Sequence, residues 1–214
     1  LFRSVLYHLE QARILQVNQN YQDSLDAYKK AFELLDKQNN RSKISMTRVG
    51  FKALSMVSNE SVVPYLVPPY EQVLAHISQA KNYIFLNDAE AAGVEMRIAQ
   101  GIQREIELEH EKEFEKKKAK QNEGASIDYS ALDEAFSGLD PIAGRIKNTY
   151  QNGYAFYMAA NLWEATGDYN SALVDFKKAY ELQGSASFAK DVARVDKAVS
   201  GNAKSVPVIV FIEQ

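Results

Sequence analysis

Cysteine is absent from the 214 residues, which removes disulfides, thiolate metal sites and cysteine nucleophiles at once. Histidine is scarce: His8, His76 and His110 are the only three, and no H-E-x-x-H or other metal-ligand spacing joins them. They read as structural or surface residues, and neither a metal nor a cofactor is expected. The ten glycines all stand singly, so a phosphate-cradling P-loop and a G-x-S-x-G nucleophile elbow both lack a motif. Long apolar runs are missing too. The most apolar stretch, Val206 to Ile212, falls far short of the roughly 20 residues that span a bilayer. A net charge of -3 with a pI near 5.7 gives no general attraction to nucleic acid or anionic lipid, and no basic patch supplies one locally.

What is present is globular: 46% hydrophobic and 25% charged residues suffice for one sizeable core. The chain reads as soluble. It starts at Leu1 without an initiator methionine or signal peptide, so it reads as a processed product whose targeting segment lies upstream.

Internal repetition is the strongest positive signal. Residues 20–35 (NYQDSLDAYKKAFELL) and 168–183 (DYNSALVDFKKAYELQ) share a tyrosine, a small residue followed by leucine, an aromatic, Lys-Lys-Ala, a second aromatic, Glu and Leu. Tyr21/Tyr169, Ser24/Ala172, Tyr28/Phe176 and Ala31/Ala179 match the second-helix pattern of a tetratricopeptide (TPR) repeat. Small residues let two helices approach while the aromatic fills the gap between them. Before the later copy, Phe156, Ala159, Ala160 and Trp163 keep helical i, i+3, i+4, i+7 spacing, and Gly167-Asp168 ends that helix. A degenerate copy at 73–99 puts Ala80, Tyr83, Asn87-Asp88, Ala92, Met96 and Ala99 in the same slots. Ala92 follows Ser24 by 68 positions, twice the roughly 34-residue TPR period. Ala172 follows Ala92 by 80, so an insertion separates the last two copies.

Residues 104–121 carry six acidic and six basic side chains, acidic first, as suits a solvated helix extension aligned with its macrodipole. Gln121 to Ser126 reads as a mobile loop. Asp140-Pro141 resembles a helix start, a capping Asp with Pro in the first turn, opening a long helix toward Glu164. Ile44 to Met56 has helical apolar spacing, and Val62 to Pro69 is a Pro-rich connection. Ser205 to Glu213 is rich in β-branched residues and reads as a strand. The expected fold is therefore all-α: a short, interrupted array of TPR-like stacked helical hairpins over 1–204, with the charged extension and loop at about 104–130 and a terminal strand segment at 205–214 that opens a further region.

Chemistry has little to stand on. Glu105, Glu107, Glu109, Glu111, Glu113 and Glu115 alternate and spread around a helix, whereas acid–base catalysis needs two carboxylates converging in one cleft. No catalytic residue is expected, and the chain reads as a binding module, not an enzyme. Most of the aromatics sit at core spacing; Tyr65, Tyr70 and Tyr154 adjoin turns where repeat arrays present recognition surfaces. Asn82, Glu95 and Arg97 are polar residues in an otherwise apolar hairpin. They read either as a buried network or as the lining of a ligand groove. Asn82, Tyr83, Glu95, Arg97, Tyr154 and Asn161 are the candidate binding residues. A pocket beside Tyr83 and Trp163 would suit the rival reading, a receptor for a small molecule or cell-wall glycan.

Several stretches together resemble bacterial cell-envelope lipoproteins with TPR-like repeats and no established activity. They are Tyr70-Glu71 with His76, AKNYIFLNDAEAAGVEMR (80–97), Asp140-Pro141-x-Ala-Gly-Arg145 with Asn152, YMAANLWEATGDYNSALVDFKKAYEL (157–182) and VIVFIEQ (208–214). The Asn-Tyr and Val-Glu-x-Arg signature and the last stretch are not generic TPR features. The resemblance implies a periplasm-facing protein held at the outer membrane by an upstream lipid anchor that these residues lack. It also implies a scaffold that binds protein partners of envelope assembly, among them activators of peptidoglycan synthesis, with a β-containing region following the terminal strand.

Overall fold

A computed structural model describes residues 2–48, 66–121 and 151–201. The described residues form seven α-helices and no strand: α1 (Phe2–Val17), α2 (Tyr21–Arg48), α3 (Pro69–Phe85), α4 (Ala89–Gln121), α5 (Gly153–Ala165), α6 (Tyr169–Gln183) and α7 (Ala186–Val199). The chain divides into two compact units, Leu1–Glu95 and Met96–Gln214.

Three of the turns are built identically. At residues 18–20, 86–88 and 166–168 the middle residue is left-handed: Gln19 at φ 61°, Asn87 at 62° and Gly167 at 85°. Around each, the last residue of the turn donates its N–H five residues back, to Leu15, Tyr83 or Trp163, and the middle residue donates three back, to Gln16, Ile84 or Glu164. This is the Schellman pairing that satisfies the last carbonyls of a helix. The third turn residue also opens the next helix. Asp88 Oδ1 accepts from the Ala91 N–H at 3.0 Å and Asp168 Oδ1 from the Ser171 N–H at 3.1 Å, so one residue closes a helix and caps its successor.

Counted from these turns, the same offsets are buried each time. Ala12, Ala80 and Ala160 precede the turn; Ser24, Ala92 and Ala172, then Tyr28, Met96 and Phe176, then Ala31, Ala99 and Ala179 follow it. The sequence repeat is thus also a repeat of burial.

In the first unit α1 packs on α2, and α3 packs on both. Ala12, Ala27, Tyr28 and Ala75 form one cluster flanked by Leu9, Leu15 and Phe32, and Val5, Leu35 and Val67 a second. In the second unit α5 packs on α6 and α6 on α7. Phe156, Ala179 and Leu182 form one cluster there with Tyr157 and Phe188, whose rings stack at 4.4 Å. Gly184 in left-handed conformation ends α6, and Ser185 caps α7 by accepting the Ser187 N–H. Val195 of α7 is fully buried, and Arg194 pairs with the buried Glu164 of α5 and with Asp191. Burial alone would lower the Arg194 pKa, but hydrogen bonds and charge from Asp191 and Glu164 raise it.

Two expectations change. The helix that reaches Glu164 does not run continuously from Pro141: it starts at Gly153, where Asn152 takes an extended conformation and its Oδ1 accepts the Tyr154 N–H at 3.0 Å. An Asn-Gly pair favours a cap over continuation, since Asn satisfies an orphan amide and Gly is a weak helix former. The charged residues 104–121 are an extension of α4 itself, which runs unbroken from Ala89 to Gln121. The loop to Ser126, the Asp140 helix start and the strand at 205–214 lie outside the described residues, as does Ile44 to Met56 beyond Arg48.

Candidate functional site

Of the six candidate residues, Asn82, Tyr83 and Glu95 belong to the first unit and Arg97, Tyr154 and Asn161 to the second. Asn82 is fully buried in the first unit, in a closed chain of hydrogen bonds. Gln16 Nε2 donates to Asn82 Oδ1 and to the Ser78 carbonyl, both at 2.6 Å. Asn82 Nδ2 donates to Ser24 Oγ at 2.8 Å, and that hydroxyl donates to the Ala12 carbonyl at 2.7 Å. Arg13 donates to Gln16 Oε1 at 2.6 Å. The network fastens α1, α2 and α3 together, with the Asn82 side chain fully enclosed within it. Ser24, a small residue in the repeat pattern, also acts here as a relay.

Glu95 serves a second linkage. Its Oε2 lies 2.6 Å from His76 Nδ1, and the His76 ring stacks on Phe32 at 4.1 Å. Tyr83 is half-buried. In the second unit Asn161 is buried and donates to the Tyr157 carbonyl at 2.7 Å; Tyr154 is half-buried at the start of α5.

Arg97 lines a cavity in the second unit. This cavity, about 370 Å³, is bounded by Arg97 and Gln100 of α4, Trp163 of α5, and Asn170, Ser171, Val174 and Asp175 of α6. The Arg97 guanidinium lies 4.8 Å above the Trp163 ring, a cation–π arrangement. The Trp163 indole donates to Asp175 Oδ2 at 2.8 Å, and Gln100 Nε2 donates to the same oxygen at 2.5 Å. Asp175 is 8% exposed, and burial raises its pKa against the lowering effect of these two donors. Asp168, at the foot of α6, is shifted the other way, chiefly by hydrogen bonds from Ser171. Val174 is 66% exposed, and Arg97 and Asn170 are exposed beside it. An apolar lip, an aromatic wall and polar groups of both charge signs thus meet around one opening, the composition of a recognition pocket.

Sequence reasoning pointed to Arg97 and Trp163 but missed Gln100 and Asp175. A signal existed for Asp175: it stands as far after Gly167 as Glu95 stands after Asn87, so the repeat assigns both to one slot.

No family model matches the chain, and no curated protein and no solved structure matches it either.

Proposed function

We propose that the chain is a TPR-like protein-interaction scaffold that holds a peptide or partner domain at the Arg97–Trp163–Asp175 opening, and that it performs no catalysis. The observation that carries this reading is the cavity itself: exposed Val174 and Asn170 at its rim, with Trp163, Gln100 and Asp175 bonded into a fixed wall behind them. Rigid aromatic and arginine side chains beside an apolar lip are the features that concentrate binding energy at protein interfaces. The TPR-like part of the proposal is supported by the three equivalent left-handed turns and by the small buried residues that keep the same offsets from them. Bacterial envelope localisation, a lipid anchor and envelope-assembly partners remain part of the proposal through the family resemblance alone.

A photo-crosslinker placed at Val174 tests the scaffold reading in envelope extracts. The expected result is one saturable adduct, competed by the unlabelled chain and absent when the crosslinker stands at exposed Ser187 of α7. Adducts equal at both positions, or none while circular dichroism shows a folded helical chain, would sink it. A receptor for a small molecule or glycan is the second reading, favoured by a cavity volume inside the usual range of about 300–1,000 Å³ for such ligands. Against a stacked sugar stands Arg97, which already occupies a face of the Trp163 ring. A thermal-shift series with muropeptides and sugars separates the two, because a bound ligand raises the melting temperature by mass action.

A further inference from the structure

The repeat supplies a comparison within the molecule. In one hairpin Glu95 meets a histidine: His76 Nδ1 lies 2.6 Å from its carboxylate. In the later hairpin the carboxylate slot holds Asp175, but the slot equivalent to His76 holds Phe156, which is part of the apolar core. Asp175 therefore has no such partner. Its two hydrogen-bond donors, Gln100 and Trp163, are neutral, and both fall on Oδ2. Among the described residues no ion pair reaches it. A carboxylate mostly removed from water and without a counter-charge is costly, yet this one lines an open cavity, where a ligand could supply the charge.

The rim carries the opposite sign. Arg97 rests on the indole face, which leaves the in-plane donors of its guanidinium for an anion. A lone cation entering the cavity meets Arg97, and a lone anion meets Asp175; a ligand bearing both signs meets neither obstacle. We infer that the cavity receives a peptide segment carrying a basic side chain beside an acidic one. The ammonium or guanidinium sits against Asp175 and the carboxylate against Arg97, with the backbone passing over Val174 and Asn170. This rests on the scaffold reading and names the chemistry of its partner.

Trp163 is the only tryptophan in the chain, and its indole N–H is bonded to Asp175, so its NMR signal reports on the cavity directly. The unmodified chain is titrated with acetyl-Gly-Lys-Glu-Gly-amide and with the same peptide bearing Gln for Lys or Gln for Glu. The expected result is a saturable shift of the indole signal by the Lys-Glu peptide, and affinity weakened at least about fivefold by loss of either charge. Asp175→Asn, which keeps an acceptor for Trp163, should abolish the preference for Lys, and Arg97→Ala the preference for Glu. Equal affinity for all three peptides, or no saturable shift up to ~20 mM, a generous ceiling for a short flexible ligand, overturns the inference. The peptide series on the unmodified chain decides this even if a variant fails to fold. A flat series alongside a specific Val174 adduct overturns the charge-pair inference and leaves the scaffold standing. A discriminating series without any adduct supports the charge-pair pocket and removes the scaffold.

Discussion

Single residues carry the turn geometry and the charge of the cavity. Gln19 and Asn87 hold the left-handed conformation that Gly167 holds in the third turn, and a Cβ in that region costs on the order of 1 kcal/mol, less for Asn than for Gln. Gln19→Gly should therefore stabilise the first unit by roughly 0.5–1 kcal/mol, and Gly167→Ala should destabilise the second by about 1 kcal/mol. Urea midpoints at unchanged slope check both. Asp175 adds a dependence on pH. Its folded pKa is raised above the ordinary 3.8 by burial, so across the interval from 3.8 up to that raised value the folded chain binds more protons than the unfolded one. Stability must then fall as pH rises through this interval, and the penalty is full above it. Asp175→Asn should remove that component of the slope and raise the melting temperature at neutral pH more than at pH 3.5. A larger gain in acid would contradict the assignment.

At the scale of elements, α7 is fastened by apolar and ionic contacts. Val195 is fully buried and Phe188 stacks on Tyr157 of α5; Arg194 bonds to the buried Glu164 and to Asp191. Removing the cation leaves a buried carboxylate without its partner, which typically costs more than the pair contributes. Arg194→Ala should lower stability by about 2–4 kcal/mol, and adding Glu164→Gln should recover about half of it. Hydrogen exchange across α7 provides the check, since its amides should lose protection first. The repeat search passed over this helix, although Gly184-Ser185, a stop and a cap, and Phe188, Val192, Val195 and Val199 at helical spacing mark it in the sequence. The start of α5 was misplaced because Asp140-Pro141 is a strong local start signal, and the weaker Asn152-Gly153 break was passed over.

For the whole molecule, near-balanced charge is the governing quantity. With 25 basic and 28 acidic residues and a pI near 5.7, solubility should be lowest near pH 5.7 and recover on either side as net charge grows. Light scattering across pH 4.5 to 8 measures this directly, and a minimum above pH 7 would show that folded-state pKa shifts outweigh composition. For the proposed scaffold, the same balance puts recognition on local groups such as Arg97 and Asp175, which line one opening.

All-helical character, the three turns and the small buried residues of the repeat were determined by the sequence, because backbone conformation and helix spacing depend on neighbours within a few positions of the chain. The fate of the polar residues was not. Asn82 looks the same in sequence whether it lines a groove or bridges Gln16 and Ser24, residues 66 and 58 positions away. Asp175 lines the cavity beside Gln100, a bonded neighbour 75 positions distant. Such pairings are set by which helix faces meet, a property of the packed structure, so tertiary contacts alone closed the Asn82 network and left the Asp175 carboxylate open.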